Sequence, residues 1–399
     1  MLLLLLIGAI FRFTWRRALS SSLEESMHKY RLAHWLEELA RTGTTFKLAG
    51  KTILPLEKVD SRVKDYLTAR ERHFRILISQ YSFMVFFKVT VAAGLLAIGG
   101  VLVMEQRMNI GQFVAAEIII LLIMSAVEKL IVSFETIYDV LTALEKIGQV
   151  TDLELEASEG EDLNDSDTSE GMRVHLHNVN FRYPGKYGLT LADLNLDLAP
   201  GEKVAVTGGS GAGKSTLLHI VAGLYEVQSG VMSYDGIPIG NLDLEALRAS
   251  IGDCLTQEEL FEGTLFENIA MGRDAATMQN VKWAVESVGL ADFVGGLPKG
   301  YNTLMSPQGK SLPRSIIQKL LVARSIADKP RLLLLEDALD RVDTKERRQI
   351  IDFLTADDKT WTLLVVSNDE YFAQQADKCV QMVQGRIEKI CPFSELNVD

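Results

Sequence analysis

The sequence predicts a multi-domain chain in which a partial α-helical transmembrane region precedes an α/β domain. Three observations predict it. Long apolar runs crowd the first third of a 399-residue chain that is 47% hydrophobic. An acidic stretch, DLELEASEGEDLNDSDTSEG from Asp152 to Gly171, then interrupts the chain. Beyond it, short runs rich in Val, Ile and Leu alternate with helical patterns, as in a parallel sheet with crossover helices. The length suits two to three domains. The net charge of -12 argues against nucleic acid as a partner, because a phosphate backbone demands clustered Lys and Arg. Cys254, Cys379 and Cys391 are isolated, without metal spacing, and fit packing residues in a reducing compartment.

The expected boundaries are a partial transmembrane domain over 1–150, an acidic linker over 151–171 and the α/β domain over 172–399. Residues 78–104 carry one charge, Lys88. At about 1.5 Å per residue a helix of that length crosses a bilayer core of roughly 30 Å. A polar turn, EQRMNIGQ, leads into a second apolar span over 113–134, so the two read as a membrane hairpin. Glu117 and Lys88 are candidates for a shared polar interior, while Glu128 and Lys129 fall near the cytosolic interface. The opening run, MLLLLLIGAIF over 1–11, is too short for an ordinary span and reads as the remnant of one. Residues 12–77 are helical in pattern and rich in Lys and Arg, the bias of a cytosolic loop. The linker is nearly free of large apolar residues and should be solvated.

The strongest signal lies at VAVTGGSGAGKSTLLHIVAGL. A strand (203–207) runs into Gly208, Gly209, Ser210, Gly211, Ala212, Gly213, Lys214 and Ser215, satisfying G-x-x-x-x-G-K-[ST], and a helix begins at once with Thr216 among its first residues. Glycines let backbone N–H groups wrap a phosphate, Lys214 neutralises the β/γ oxygens, Ser215 suits Mg²⁺, and the helix N-terminus adds its dipole. That loop alone leaves GTPases, kinases and helicases open. A further run, LLLLEDALD from Leu332, drives four aliphatics into the carboxylates Glu336 and Asp337, as a buried strand ending at such a site would.

Taken with VNFRYPG around Tyr183, IGDCLTQEELFEGTLFENI at 251–269, the segment leading into LLLLED, and TLLVVSND, the region from about 172 to 391 resembles the cassette of ATP-binding cassette (ABC) transporters, a phosphate-loop NTPase fold. The resemblance implies Tyr183 stacking on adenine, Gln257 contacting Mg²⁺, Glu336 at the Mg-coordinating position, Asp337 at the catalytic one, and Asp343 as the D-loop aspartate. The preceding helices resemble the second half of an exporter-type half-transporter, most like those that export toxins and peptides, lacking its first helices.

Three positions depart from the family pattern. The LSGGQ signature aligns with Leu312-Pro313-Arg314-Ser315-Ile316; proline supplies no N–H, and Arg314 and Ile316 add bulk where backbone should approach a phosphate. The switch histidine aligns with Asn368, which donates a hydrogen bond but carries no charge. The carboxylate pair is reversed, so Asp337 sits one methylene short of where the family has a glutamate. A misplacement of about 1 Å costs roughly 100-fold in rate.

These features imply ATP and Mg²⁺ as ligands and a subunit coupling ATP binding, with slow hydrolysis, to export. Its expected partners are a second half-transporter chain, the lipid membrane, an exported substrate and a periplasmic adaptor. It would be a multi-pass inner-membrane protein with a cytoplasmic cassette. The alternative is a non-catalytic nucleotide-sensing subunit supporting a competent partner.

Overall fold

The computed structural model describes residues 2–156, 160–161, 163, 170–255 and 259–395, and the chain divides into two compact units, Met1–Leu155 and Glu156–Asp399.

The first unit is built from α1 (Leu2–Arg41), α2 (Gly43–Leu48), α3 (Leu54–Met104) and α4 (Ile110–Thr151). The segments that composition separates into remnant, loop and spans are parts of continuous helices. α3 starts with proline in its first turn, where the missing N–H is harmless, and no later proline interrupts it. α4 starts with a capping box. The Asn109 side chain accepts from the Gln112 N–H, and the Gln112 side chain accepts from the Asn109 N–H, satisfying two donors that a helix start leaves unpaired. Among the described residues one helix, α3, is long and apolar enough to cross a membrane, and a shorter apolar segment covers Ile110–Ala126 of α4. Phe86, Val89 and Ile98 of α3 remain more than half exposed, as lipid-facing side chains would. Lys88 pairs with Glu128, not with Glu117. In an antiparallel hairpin partners lie equally far from the turn, and Glu117 is too close to it to meet Lys88. Below the apolar stretch the helices are stitched by polar contacts: Ser22 to Thr142 at 3.0 Å, Ser21 to His73 at 2.8 Å and Arg72 to Glu24 at 2.8 Å.

The second unit runs β1 (Val174–Phe181), β2 (Leu191–Leu198), β3 (Lys203–Thr207), α5 (Lys214–Val221), β4 (Ser229–Tyr234), β5 (Ile237–Pro238), α6 (Leu244–Ala249), β6 (Ile251–Cys254), β7 (Gly263–Thr264), α7 (Leu265–Ala270), α8 (Met278–Ser287), α9 (Ala291–Gly295), β8 (Leu304–Met305), α10 (Arg314–Ile326), β9 (Leu332–Glu336), α11 (Thr344–Thr355), β10 (Thr362–Val366), α12 (Glu370–Gln375), β11 (Lys378–Val383) and β12 (Arg386–Cys391). Its main sheet has the order β12-β11-β3-β10-β9-β6. The strands are parallel except β12, which forms an antiparallel edge hairpin with β11. Every residue of β9 and β10 is buried, which is why they read as unbroken aliphatic runs: helices or a second sheet cover both faces. Each fully buried leucine contributes about 1.5–3 kcal/mol. The antiparallel sheet β2-β1-β4-β5 shows the alternation of a half-covered strand in β2.

Lys203, at the start of β3, is buried, and its ammonium donates to the carbonyls of Gly201, Lys359 and Trp361 at 2.8, 3.1 and 2.8 Å. The burial pulls its pKa below the ordinary lysine value.

The acidic segment is less free than its composition suggests. Glu156 makes a two-pronged ion pair with Arg248 at 2.6 and 2.8 Å. The Glu161 backbone bonds to Asn241 and Asp243, and Leu163 is 3% exposed. Among the described residues, a buried leucine, a backbone bridge and an ion pair moor this segment.

Candidate nucleotide site

β3, β10 and β9 end together. Val366 pairs with Val206 on one side and with Glu336 on the other, so the loops following these three strands converge at one sheet edge. That edge is where open α/β sheets place their ligands. The loops carry Gly208–Gly213 after β3, Ser367–Asn368 after β10 and Asp337 after β9.

The phosphate loop is made mainly of backbone. Gly208 has φ 145°, and a Cβ there would collide with the Met382 carbonyl oxygen of β11, so only glycine fits between loop and hairpin. Gly209, Ser210 and Gly211 are exposed, Ala212 is buried, and Gly213 caps α5 in the left-handed region. Lys214 folds back over the loop, donating to the Gly208 and Gly209 carbonyls at 2.7 and 3.0 Å. Ser215 presents an exposed hydroxyl, whereas Thr216 is buried and meets the Tyr183 hydroxyl at 3.3 Å. The base-stacking candidate and the phosphate-loop helix are thereby brought together.

The carboxylate turn is made of side chains. Glu336 is 6% exposed at the end of β9. Asp337 adopts a left-handed backbone, φ 46°, which aspartate tolerates better than most residues. Its N–H donates to the Val366 carbonyl at 2.9 Å, and its buried Oδ1 has no hydrogen-bond partner among the described residues. Burial, then Asp340 and Glu336, push the Asp337 carboxyl above the ordinary carboxylate value, and the Lys214 ammonium offsets part of that rise. The Ser215 hydroxyl and the Glu336 carboxylate offer oxygen donors, the chemistry that suits a small hard cation such as Mg²⁺. Gln257 lies outside the described residues. Asn368 is exposed and lines a recess of 670 Å³ with Asp340, Arg341, Arg347 and Arg348. Asp343 caps α11, accepting from the Lys345 N–H at 2.9 Å.

Pro313 caps α10 without a side-chain hydrogen bond. Ile316 and Leu312 pack against the core and Arg314 is exposed, so part of the bulk expected at this segment turns inward.

Three contributors lie outside the sequence-predicted set. Gln318 of α10 donates to the Asp337 carbonyl at 3.3 Å and accepts from the Arg341 N–H at 2.7 Å, tying the signature helix to the carboxylate turn. Gly385, at the tip of the β11–β12 hairpin, donates to the Ala212 carbonyl at 2.9 Å, and a Cβ there would strike the Thr190 carbonyl. Tyr225 joins Tyr183 in one ring cluster. Of these only Gly385 left a sequence trace, in the QGR turn between apolar runs.

The geometry agrees with known proteins. Residues 191–340 match the ABC transporter family model. The chain is 34% identical over 215 residues to an ATP-dependent lipid A-core flippase of Chromobacterium violaceum, covering 54% of this chain and 37% of that protein. It is 27% identical to the transport/processing ATP-binding protein ComA of Streptococcus pneumoniae, covering 83% and 46%, and 28% identical to the cyclolysin secretion/processing protein CyaB of Bordetella pertussis, covering 74% and 41%. The chain thus spans less than half the length of these relatives. A bacterial Atm1-family ABC exporter with ATP bound superposes with a TM-score of 0.87 at 22% identity, covering 98% of this chain and 69% of that one. Residues 191–340 therefore belong to the ABC transporter domain family, and the chain shares the fold of an ABC exporter.

Proposed function

We propose that this chain is the ATP-binding subunit of an ABC exporter, coupling ATP binding and slow hydrolysis to export across the inner membrane, with its cassette in the cytoplasm. The observation that carries the reading is the convergence of Lys214 and its glycine loop with the Glu336–Asp337 turn at the ends of β3 and β9. In this reading the loop amides of Gly208–Gly213 and the α5 dipole hold the β-phosphate, Lys214 turns from its carbonyl partners to the β/γ oxygens, and Tyr183 supports adenine. Ser215, Glu336 and Gln257 would hold Mg²⁺, which supplies charge neutralisation when bound. Asp337 takes the proton of the attacking water, as a carboxylate within reach of it would. Asn368 donates to the γ-phosphate.

Hydrolysis is slow in this reading because the Asp337 carboxylate falls short of the water by one methylene. The transport/processing and cyclolysin secretion/processing names of two relatives support a peptide or protein as exported substrate. A second half-transporter chain completes the site, and a periplasmic adaptor is compatible with the secretion relatives. The missing signature glycines and the uncharged Asn368 favour a second reading, in which the chain binds ATP and leaves turnover to a competent partner. Titration with a fluorescent ATP analogue tests the binding claim: saturable binding that Lys214→Ala abolishes is expected, and its absence refutes it. Phosphate release by the purified chain, compared with Asp337→Asn, separates the two readings; equal rates exclude turnover by this chain alone.

A further inference from the structure

The base end of the site is a cluster of rings, larger than the one tyrosine that the sequence singles out. Tyr183 faces a recess of 580 Å³ that Phe181, Tyr225, Glu226 and Gln228 also line. Phe181 and Tyr225 stand nearly perpendicular to the Tyr183 ring, at 80° and 84°, with centroids 4.9 and 5.2 Å away. They touch each other at 5.5 Å. Perpendicular rings at these separations attract through their quadrupoles beyond simple area burial. At its far end the Tyr183 hydroxyl reaches Thr216 Oγ1 at 3.3 Å and His219 Nδ1 at 3.5 Å. Two rings on its flanks and two polar partners at its tip leave Tyr183 one orientation.

The two flanking rings differ. Phe181 is 2% exposed and belongs to the core of β1. Tyr225 is 38% exposed, in the turn between α5 and β4. A ring half in solvent contributes little to the core, yet this one closes the cluster around the ring that is to carry the base. Resting on the ATP-binding reading above, we propose that Tyr225 is a positioning residue for the nucleobase: it holds the Tyr183 ring where a base can stack and has no part in phosphate binding. Fixing the ring in advance removes the ordering cost that stacking would otherwise incur.

The test compares a ligand with a base to one without. Mg-ATP and magnesium tripolyphosphate are titrated calorimetrically against the full chain in detergent, as wild type, Tyr225→Phe, Tyr225→Met and Tyr225→Leu. Methionine has similar bulk and no ring, and partial exposure of the site lets the fold accept it; leucine serves as a second ringless variant. The expected result is about tenfold weaker ATP binding in the ringless variants, with tripolyphosphate binding held within about twofold and ATP binding retained by Tyr225→Phe. ATP binding by Tyr225→Met equal to wild type would overturn the inference, as would equal loss of both ligands, since that is the behaviour of a residue that merely supports the fold. Wild type that binds tripolyphosphate but gains nothing from the base overturns this inference while sparing the phosphate loop; wild type that binds neither ligand overturns the ATP-binding reading as well.

Discussion

The phosphate loop and the carboxylate turn end strands on either side of β10, yet they are built in opposite ways. The loop relies on backbone: glycines held against a hairpin, with the one cation bonded to two carbonyls. The turn relies on side chains: two adjacent acids, one in a left-handed backbone with a buried oxygen unpaired. Backbone geometry survives drift in neighbouring residues, whereas a side-chain constellation is lost with one methylene. The difference teaches that, in the proposed reading, holding a triphosphate and cleaving it rest on separable parts of the site.

The largest effect that would break this comparison is on binding. Lys214→Ala should weaken Mg-ATP affinity by at least about 100-fold in a titration; retention of affinity would mean the loop is not the holding half. Next, Asp337→Glu should raise phosphate release by about 10- to 100-fold with nucleotide affinity unchanged. No rise would place the defect elsewhere, at Asn368 or at the Pro313 segment. Third, Gly385→Ala should cost about 1–3 kcal/mol of cassette stability, read from a denaturant midpoint, because the methyl meets the Thr190 carbonyl. The smallest effect concerns pH. The Asp337 carboxyl titrates higher in the fold than its ordinary 3.8, so it contributes stability that is complete below about that pH and lost as pH rises through the folded value. Asp337→Asn should therefore melt on the order of 2 °C higher than wild type near pH 7, and the gain should disappear toward pH 3.5.

The sequence disclosed the backbone half of this comparison almost completely, because a glycine pattern between a strand and a helix has few other uses. Leu332–Leu335 were equally legible, since a strand buried on both faces must be aliphatic throughout. What it concealed were contacts between elements remote in the chain. Gln318 reaches the Asp337 carbonyl through helix placement, not spacing. Lys88 finds Glu128 only once the hairpin register is set. The acidic segment read as solvated because composition weighs all its residues alike, whereas Leu163 is buried and Glu156 and Glu161 are bonded to the domain. Thr216 fits the loop motif as a phosphate neighbour, yet its hydroxyl turns to Tyr183.

The β11–β12 hairpin has a practical corollary for anyone trimming this protein from its carboxyl end. Met382 stands behind Gly208, and Gly385 behind Ala212. A deletion that removes the hairpin would strip away two props of the nucleotide cradle, although it lies far downstream of every recognisable motif. The shortest cassette that still grips its ligand should therefore extend to at least Cys391, where the last strand closes against Cys379.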